Sequence, residues 1–298
     1  MTGLQRPSPC KINLVLNVLG KRPDGFHELE TLMHPIALTD ILTFERLPGA
    51  GIELSCSNQS LPTDASNLVY RAASGFLQKT ARKEGFRIHL EKRIPLAAGL
   101  GGGSGNAAVT LVALNDLSDR PLGPADLQEL AATLGSDVPF FLQPSPALAV
   151  GRGERICSVE PFPALAGCYV LLIHPGFGVS TAWAYQALAG FPEALNGRKG
   201  RAEKLVALLR SSTLAEAAPH FYNSLESPVL RKYPVLQLYQ EFLRAHGADV
   251  ALMSGSGSTT FGLFRNEAAA REAADLFRQR FGQGCWTAIV SIGPAISA

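Results

Sequence analysis

Residues 95–108 read PLAAGLGGGSGNAA and place five glycines in the seven positions from Gly99 to Gly105. Glycine loses more backbone freedom on folding than any other residue, so this density marks a backbone that something must approach closely. The stretch follows FRIHLEKRI, where Phe86, Ile88 and Leu90 alternate with polar residues. It precedes NAAVTLVALNDL, where Ala107, Leu111 and Leu114 share one helical face. It therefore joins a strand to the start of a helix. The first amides of a helix have no partners within it, and the aligned peptide dipoles make that end positive. A glycine loop leading into it can wrap an anion with N–H groups, as phosphate sites do. Ser104 adds a hydroxyl suited to a phosphate oxygen or to Mg²⁺. The loop is neither of the two commonest phosphate loops. No Gly-Lys pair is followed by Ser or Thr, and a G-x-G-x-x-G count from Gly101 puts Asn106 in the sixth place. A flexible hairpin is the plainer alternative, but it leaves the strand-to-helix placement unexplained.

Three other places carry residues that could do chemistry. Around Lys11 the apolar residues Ile12, Leu14, Leu16 and Val18 alternate with Lys11, Asn13, Val15 and Asn17, the pattern of a half-buried strand. Lys11 and Asn13 then form a polar pair on one surface, and the plain expectation for them is solvation. Asp24-Gly25 is a turn signal, and Phe26 and His27 directly after it offer an aromatic face and an imidazole to a ligand, or else a packed ring and a surface histidine. Asp137, in LGSDVPFFL, lies between a small-residue turn and an apolar segment. Such an aspartate is a cap or turn former, or a carboxylate that orients or deprotonates a hydroxyl beside a basic residue.

The elements that must position these residues follow from period. A helical stripe through Leu68, Val69, Ala72, Ala73, Phe76 and Leu77 predicts a helix over 66–83, with Gly85 placed to end it. Strands with turns at LPGAG and SNQS occupy 36–60, and 124–134 reads as a helix with Pro124 at its first position and Gly135 as the stop. The second half begins with a buried strand, CYVLLIH, followed by helices from Thr181 and a basic run, NGRKGRAEK, read as solvated. It closes on DVALMSG, STTFGLF, a helix and CWTAIVSI, which gives β-α-β-β-α-β, the ferredoxin-like order, once the extra helices are set aside. The chain divides between Glu154 and Gly167, into residues 1–158 and 159–298.

With 298 residues, 46% of them hydrophobic and 17% charged, the chain can bury a large core and reads as globular. A net charge of +2 argues against nucleic acid or an anionic membrane as partner. Five scattered cysteines without a C-x-x-C pair fit reduced thiols better than disulfides or a zinc site. INLVLNVLG is too short and too polar for a signal peptide, and no apolar run reaches the ~20 residues of a membrane span. A soluble cytoplasmic protein is expected, with no signal for its oligomeric state.

Four stretches, SPCKINLVLNV, PLAAGLGGGSGNAA, GSDVPFF and MSGSGSTTFGLF, resemble in order the three motifs and the catalytic-aspartate segment of the GHMP kinases, over nearly the whole chain. Within that family, KINLVLNVLGKRPDGFHELETL is similar to the branch that phosphorylates the 2-hydroxyl of 4-diphosphocytidyl-2-C-methyl-D-erythritol from ATP, in the non-mevalonate (methylerythritol phosphate) pathway to isoprenoid precursors. The resemblance implies an α+β, two-domain GHMP kinase fold. Its N-terminal α/β domain resembles a ribosomal-protein fold, its C-terminal domain is ferredoxin-like, and the active site lies in the cleft between them. It implies that Asp137 takes the proton of the attacking hydroxyl and that Lys11 orients it and offsets charge on the phosphoryl group. ATP would be held by Pro95, Leu96, Ala97, Ala98, Gly99, Leu100, Gly101, Gly102, Gly103, Ser104 and Gly105, with Mg²⁺ as its companion. Asn13 would contact the substrate, His27 would read the cytosine edge, and Phe26 and Tyr185 would stack on the ring. Four positions depart from the family pattern: Cys10 stands for alanine, Phe26 for tyrosine, Gly105 for a second serine, and Ser224 for the aspartate of an N-D-L motif. Two alternatives remain: a GHMP kinase for another small alcohol, and a non-catalytic nucleotide-binding protein of the same fold.

Overall fold

Strands β1 (Leu4–Lys21) and β2 (His27–Leu47) are joined by a tight turn in which Gly25 takes φ +85° and Asp24 accepts a hydrogen bond from the amide of Phe26 (3.1 Å). They pair antiparallel along their length, from Leu4 opposite Phe44 to Lys21 opposite His27, in a computed structural model that describes residues 3–195 and 197–292. The expected half-buried strand is instead buried on both faces: Ile12, Leu14, Lys11, Asn13 and Asn17 are all at most 3% exposed. A register shift between Asn13 and Val15 breaks the alternation, and helices pack on β1 from both halves of the chain. Solvation of Lys11 and Asn13 is therefore excluded.

The rest of the first half comprises β3 (Gly51–Cys56), α1 (Leu68–Thr80), β4 (Gly85–Glu91), α2 (Gly102–Leu117), α3 (Pro124–Leu134), β5 (Ala147–Gly151) and β6 (Arg155–Ser158). Asn67 caps α1, and that helix ends at Thr80 with Ala81 at φ +53°. Gly85 does not end the helix. It opens β4, where a Cβ would lie 2.2 Å from the carbonyl oxygen of Gly49, so close approach to the neighbouring turn fixes the residue. Helices α1, α2 and α3 enclose a core with Phe44, Phe76, Phe86 and Phe140 against the sheet.

In the second half, β7 (Tyr169–His174), α4 (Thr181–Ala187), α5 (Arg201–Ser211), α6 (Leu214–Ala217), β8 (Tyr222–Asn223), α7 (Glu226–Lys232), α8 (Pro234–Ala245), β9 (Val250–Met253), β10 (Thr260–Phe264), α9 (Glu267–Phe281) and β11 (Trp286–Ser291) follow in order. Strands β11-β7-β10-β9 form an antiparallel sheet in the ferredoxin-like order, covered by Leu236, Leu243 and Phe277 of α8 and α9.

Two segments of the second half cross to the first sheet, whose main order is β3-β4-β2-β1-β8, with β5 on β2 and β6 on β5. Strand β8 pairs parallel with β1 at Val15 and Leu16. The basic run was expected to be solvated, but it docks: Glu30 accepts the amides of Gly200 (2.9 Å) and Arg201 (2.7 Å), and Asn17 donates to the carbonyl of Arg198 (2.7 Å). The first amides of α5 need an acceptor, and a carboxylate from β2 supplies it. All five cysteines are free thiols. Among the described residues no helix is long and apolar enough to cross a membrane.

Candidate active site

A cleft of about 1320 Å³ opens where β1, the start of β2, the glycine stretch and α4 meet. Helix α2 starts at Gly102, four residues earlier than the sequence pattern suggests, with Gly101 as N-cap at φ +69° and no side-chain cap. The amides of Gly102, Gly103 and Ser104 have no intrahelical acceptor. An uncapped positive helix end therefore faces the cleft, lined by Pro95 through Ser104.

The glycines answer to several neighbours. A Cβ on Gly99 (φ +77°) would lie 2.1 Å from the carbonyl oxygen of Ser254, and one on Gly101 3.0 Å from the Phe141 ring. Gly105 stands outside the cleft lining. A Cβ there would meet the carbonyl of Pro9 at 2.6 Å, and its amide donates to Gly101 within the helix (2.9 Å). Contrary to the expectation of a phosphate contact, Gly105 serves the packing of α2 on β1. Gly103 has only a leucine methyl at 3.6 Å and is exposed. The protein's own packing thus requires Gly99, Gly101 and Gly105, whereas no neighbouring atom requires glycine at Gly103.

Lys11, Asn13 and Asp137 are brought together. The Lys11 ammonium donates to Asn13 Oδ1 (2.5 Å) and to the carbonyl of Gly99 (2.9 Å), and lies 3.8 Å from Asp137 Oδ2. Burial lowers the proton affinity of Lys11, and the charge of Asp137 opposes that shift. Lys11 is almost fully enclosed, whereas the Asp137 side chain is 39% exposed and reaches the open cleft.

At the other end, the rings of His27 and Tyr185 lie 5.2 Å apart, tilted by 34°. Burial, then the charge of Lys21, pushes the imidazole of His27 below its ordinary value, which favours the neutral ring with one donor and one acceptor. Phe26 also lines the cleft, 51% exposed, but the guanidinium of Arg152 covers its ring at 4.6 Å. Tyr185 stands on α4, whose start is capped by Ser180 (3.3 Å).

Sequence reasoning missed four contributors. Thr31 holds Asn13 (2.8 Å), and Arg152 backs Phe26 from the β5–β6 turn. Lys92 lines the cleft beside α2, paired with the buried Asp40, which also accepts from Asn106 (2.9 Å) and the amides of Arg93 (2.7 Å) and Ile94 (2.9 Å). Ser256, in the third motif, bonds Thr181 (2.8 Å) at the rim. Thr31 and Ser256 lay in stretches the sequence had singled out, and Lys92 in the strand FRIHLEKRI, but none was picked out as a site residue; Arg152 stands in an unremarked turn. Where the N-D-L pattern has aspartate, Ser224 holds the end of β1 by accepting from the amide of Val18 (2.9 Å) and donating to the carbonyl of Ala194 (3.0 Å). Among the described residues no group of three or more His, Cys, Asp or Glu could hold a metal ion.

Residues 67–144 match the model of the GHMP kinases N-terminal domain and residues 198–283 that of the GHMP kinases C-terminal domain. The chain is 45% identical over 270 residues to the 4-diphosphocytidyl-2-C-methyl-D-erythritol kinase of Pelotomaculum thermopropionicum, covering 91% of this chain and 92% of that protein. It is 40% identical over 275 residues to the kinase of the same name from Citrifermentans bemidjiense, covering 92% and 94%. A crystal structure of 4-(cytidine 5'-diphospho)-2C-methyl-D-erythritol kinase superposes with a TM-score of 0.80 at 39% identity, covering 97% of this chain and 100% of the other.

Proposed function

The chain belongs to the GHMP kinases and, within them, to the 4-diphosphocytidyl-2-C-methyl-D-erythritol kinases, and on that premise we propose that it transfers the γ-phosphoryl group of ATP to the 2-hydroxyl of 4-diphosphocytidyl-2-C-methyl-D-erythritol, in the methylerythritol phosphate route to isoprenoid precursors. The observation that carries the reading is the Lys11–Asp137 pair, 3.8 Å apart, in the same cleft as the uncapped start of α2.

In this reading the hydroxyl oxygen forms a bond to the γ-phosphorus, the bond from that phosphorus to the β–γ bridging oxygen breaks, ADP leaves, and the hydroxyl proton passes to Asp137. Lys11 orients the hydroxyl and offsets charge on the phosphoryl oxygens. It is held for this by two protein oxygens, Asn13 Oδ1 and the Gly99 carbonyl. The amides of Gly102, Gly103 and Ser104 receive the phosphates, and the neighbouring stretch from Pro95 shapes the nucleotide site. His27 reads the cytosine edge in its neutral form, with Tyr185 and Phe26 as ring surfaces.

The Ser104 hydroxyl stands in the first turn of the helix. It suits a Mg²⁺ ion carried by nucleotide phosphates rather than a resident ion, because Mg²⁺ takes few protein ligands beside phosphate and water. Such an ion supplies charge neutralisation to the phosphates. The division of the chain at 158/159 belongs to the same proposal, supported by β6 ending at Ser158 and the second sheet starting at Tyr169.

The test is ADP release with Mg-ATP and the cytidyl substrate, beside homoserine, mevalonate and galactose. Turnover with the cytidyl substrate alone is expected. Turnover with another alcohol alone would discard the cytidine site, and nucleotide binding without any turnover would make the protein a binder. Asp137→Asn is expected to abolish turnover with ATP affinity largely kept, and a fully active variant would remove Asp137 from the mechanism.

A further inference from the structure

Lys11 is a buried cation whose surroundings must all be acceptors, and one of them is an amide that could be turned either way. Asn13 presents an oxygen on one side and an NH₂ group on the other, and the two ends are nearly the same shape. Something other than shape must decide which end meets the ammonium.

Thr31 sits on β2 within reach of Asn13, 4% exposed, paired with Leu16 just past the point where the pairing of β1 and β2 shifts register. Its hydroxyl lies 2.5 Å from the carbonyl oxygen of Val15 and 2.8 Å from Asn13 Nδ2. A backbone carbonyl can only accept, so the single hydroxyl proton is committed to Val15. The oxygen of Thr31 is then left with lone pairs alone towards Asn13 and can be satisfied only by an NH₂ group. The amide must therefore turn its nitrogen to Thr31 and its oxygen to Lys11 Nζ, 2.5 Å away.

We propose that Thr31 is a positioning residue for Lys11: its hydroxyl, fixed by the carbonyl of Val15, selects the orientation of the Asn13 amide that gives the ammonium an acceptor. The inference rests on Lys11 being the catalytic cation. With the hydroxyl removed, the Asn13 NH₂ group loses its acceptor and only the ammonium itself still holds the amide against turning; a turned amide would place NH₂ against NH₃⁺ where burial already disfavours the charge. Asn13 then acts chiefly through Lys11, because both ends of its amide are occupied by protein groups.

Thr31→Val keeps the shape and removes the hydroxyl, and Thr31→Ser restores the hydroxyl. Thr31→Val is expected to lose about ten-fold or more in kcat, the scale of one hydrogen bond to a charged group. KM for ATP should stay unchanged, and Thr31→Ser should lie near the wild type. Independently of turnover, ¹⁵N NMR of labelled lysine in the substrate-free protein should show Lys11 losing its proton at lower pH in Thr31→Val than in the wild type or Thr31→Ser. Should Thr31→Val not melt cooperatively, Thr31→Ala is read in the same way. A folded variant with wild-type kcat and wild-type Lys11 titration overturns the proposal, as do equal losses in the Val and Ser variants, which would trace the effect to packing. A wild type that never turns over, but whose Lys11 titration still depends on the Thr31 hydroxyl, removes the kinase reading and keeps the positioning role.

Discussion

His27 and Lys11 show how burial sets the charge of a site. Lowered proton affinity favours neutral His27, the form that can offer both a donor and an acceptor to a base edge. Burial acts on Lys11 in the same direction, but Asp137 and two oxygen acceptors counter it. The two residues should thus fail differently. His27→Ala is expected to raise KM for the cytidyl substrate about ten-fold or more, the scale of one lost base contact, and to leave KM for ATP unchanged. Equal losses for both substrates would remove His27 from base reading. At Phe26 the tyrosine hydroxyl is absent and Arg152 covers one ring face, so the residue offers its other face and edge to the cleft. Cys10 is fully buried, and burial together with the charge of Asp40 pushes its thiol up, which suppresses the reactive thiolate.

Among elements, the glycine stretch and the third motif are two halves of one joint. Gly99 packs against the backbone of Ser254 and Gly257, its carbonyl accepts from Ser254 Oγ (3.0 Å) and Lys11 Nζ (2.9 Å), and the Thr259 amide donates to Ala98 (3.2 Å). The loop that faces the cleft is thus held from behind by the second half of the chain. Gly99→Ala would combine a left-handed backbone with a Cβ 2.1 Å from a carbonyl oxygen. We expect a loss on the order of 1–3 kcal/mol in stability and a raised KM for ATP, read by thermal melting and steady-state kinetics. An equally stable and active variant would show that the loops do not need this contact.

Across the whole molecule, the two sheets are tied by buried side chains. Asn223 on β8 donates to the carbonyls of Met253 and Gly255 (2.8 Å each), linking the first sheet to the root of the third-motif loop. Beside it, Glu226 accepts from the Met253 amide (2.7 Å) and from Gln240 on α8 (2.5 Å), covering the open edge of β9. Burial pushes the Glu226 carboxyl up to about 7, against the pull of the Met253 amide, Gln240 and Arg244. The folded state then binds the proton more tightly than the unfolded chain. The contribution of Glu226 is present below its ordinary value of 4.5 and is lost as pH rises towards 7. Stability of the wild type is expected to fall relative to Glu226→Gln over that window, by on the order of 1–3 kcal/mol. Parallel melting curves against pH for the two proteins would contradict the assignment.

Much of this protein was legible in its residues. Period 2 and period 3.6 patterns located the strands and most helices, because local burial repeats with the geometry of each element. The glycine run placed a helix start directly after a strand, and the ferredoxin-like order of the second sheet could be read from its strands. The four motifs carried the kinase family and singled out Lys11 and Asp137 as candidates, and the longer stretch from Lys11 to Leu32 singled out His27. Tertiary structure alone decided what those residues meet. Lys11 and Asp137 are separated by 125 intervening positions, so no spacing rule brings them to 3.8 Å. Burial of both faces of β1 needed helices from both halves, and a register shift that hydropathy does not encode. The use of Gly99 and Gly105 as packing sites, the docking of the basic run on Glu30, and the Thr31–Asn13–Lys11 chain all depend on groups distant in sequence. Patterning records how much of a residue is buried, and only the folded chain decides against which partner.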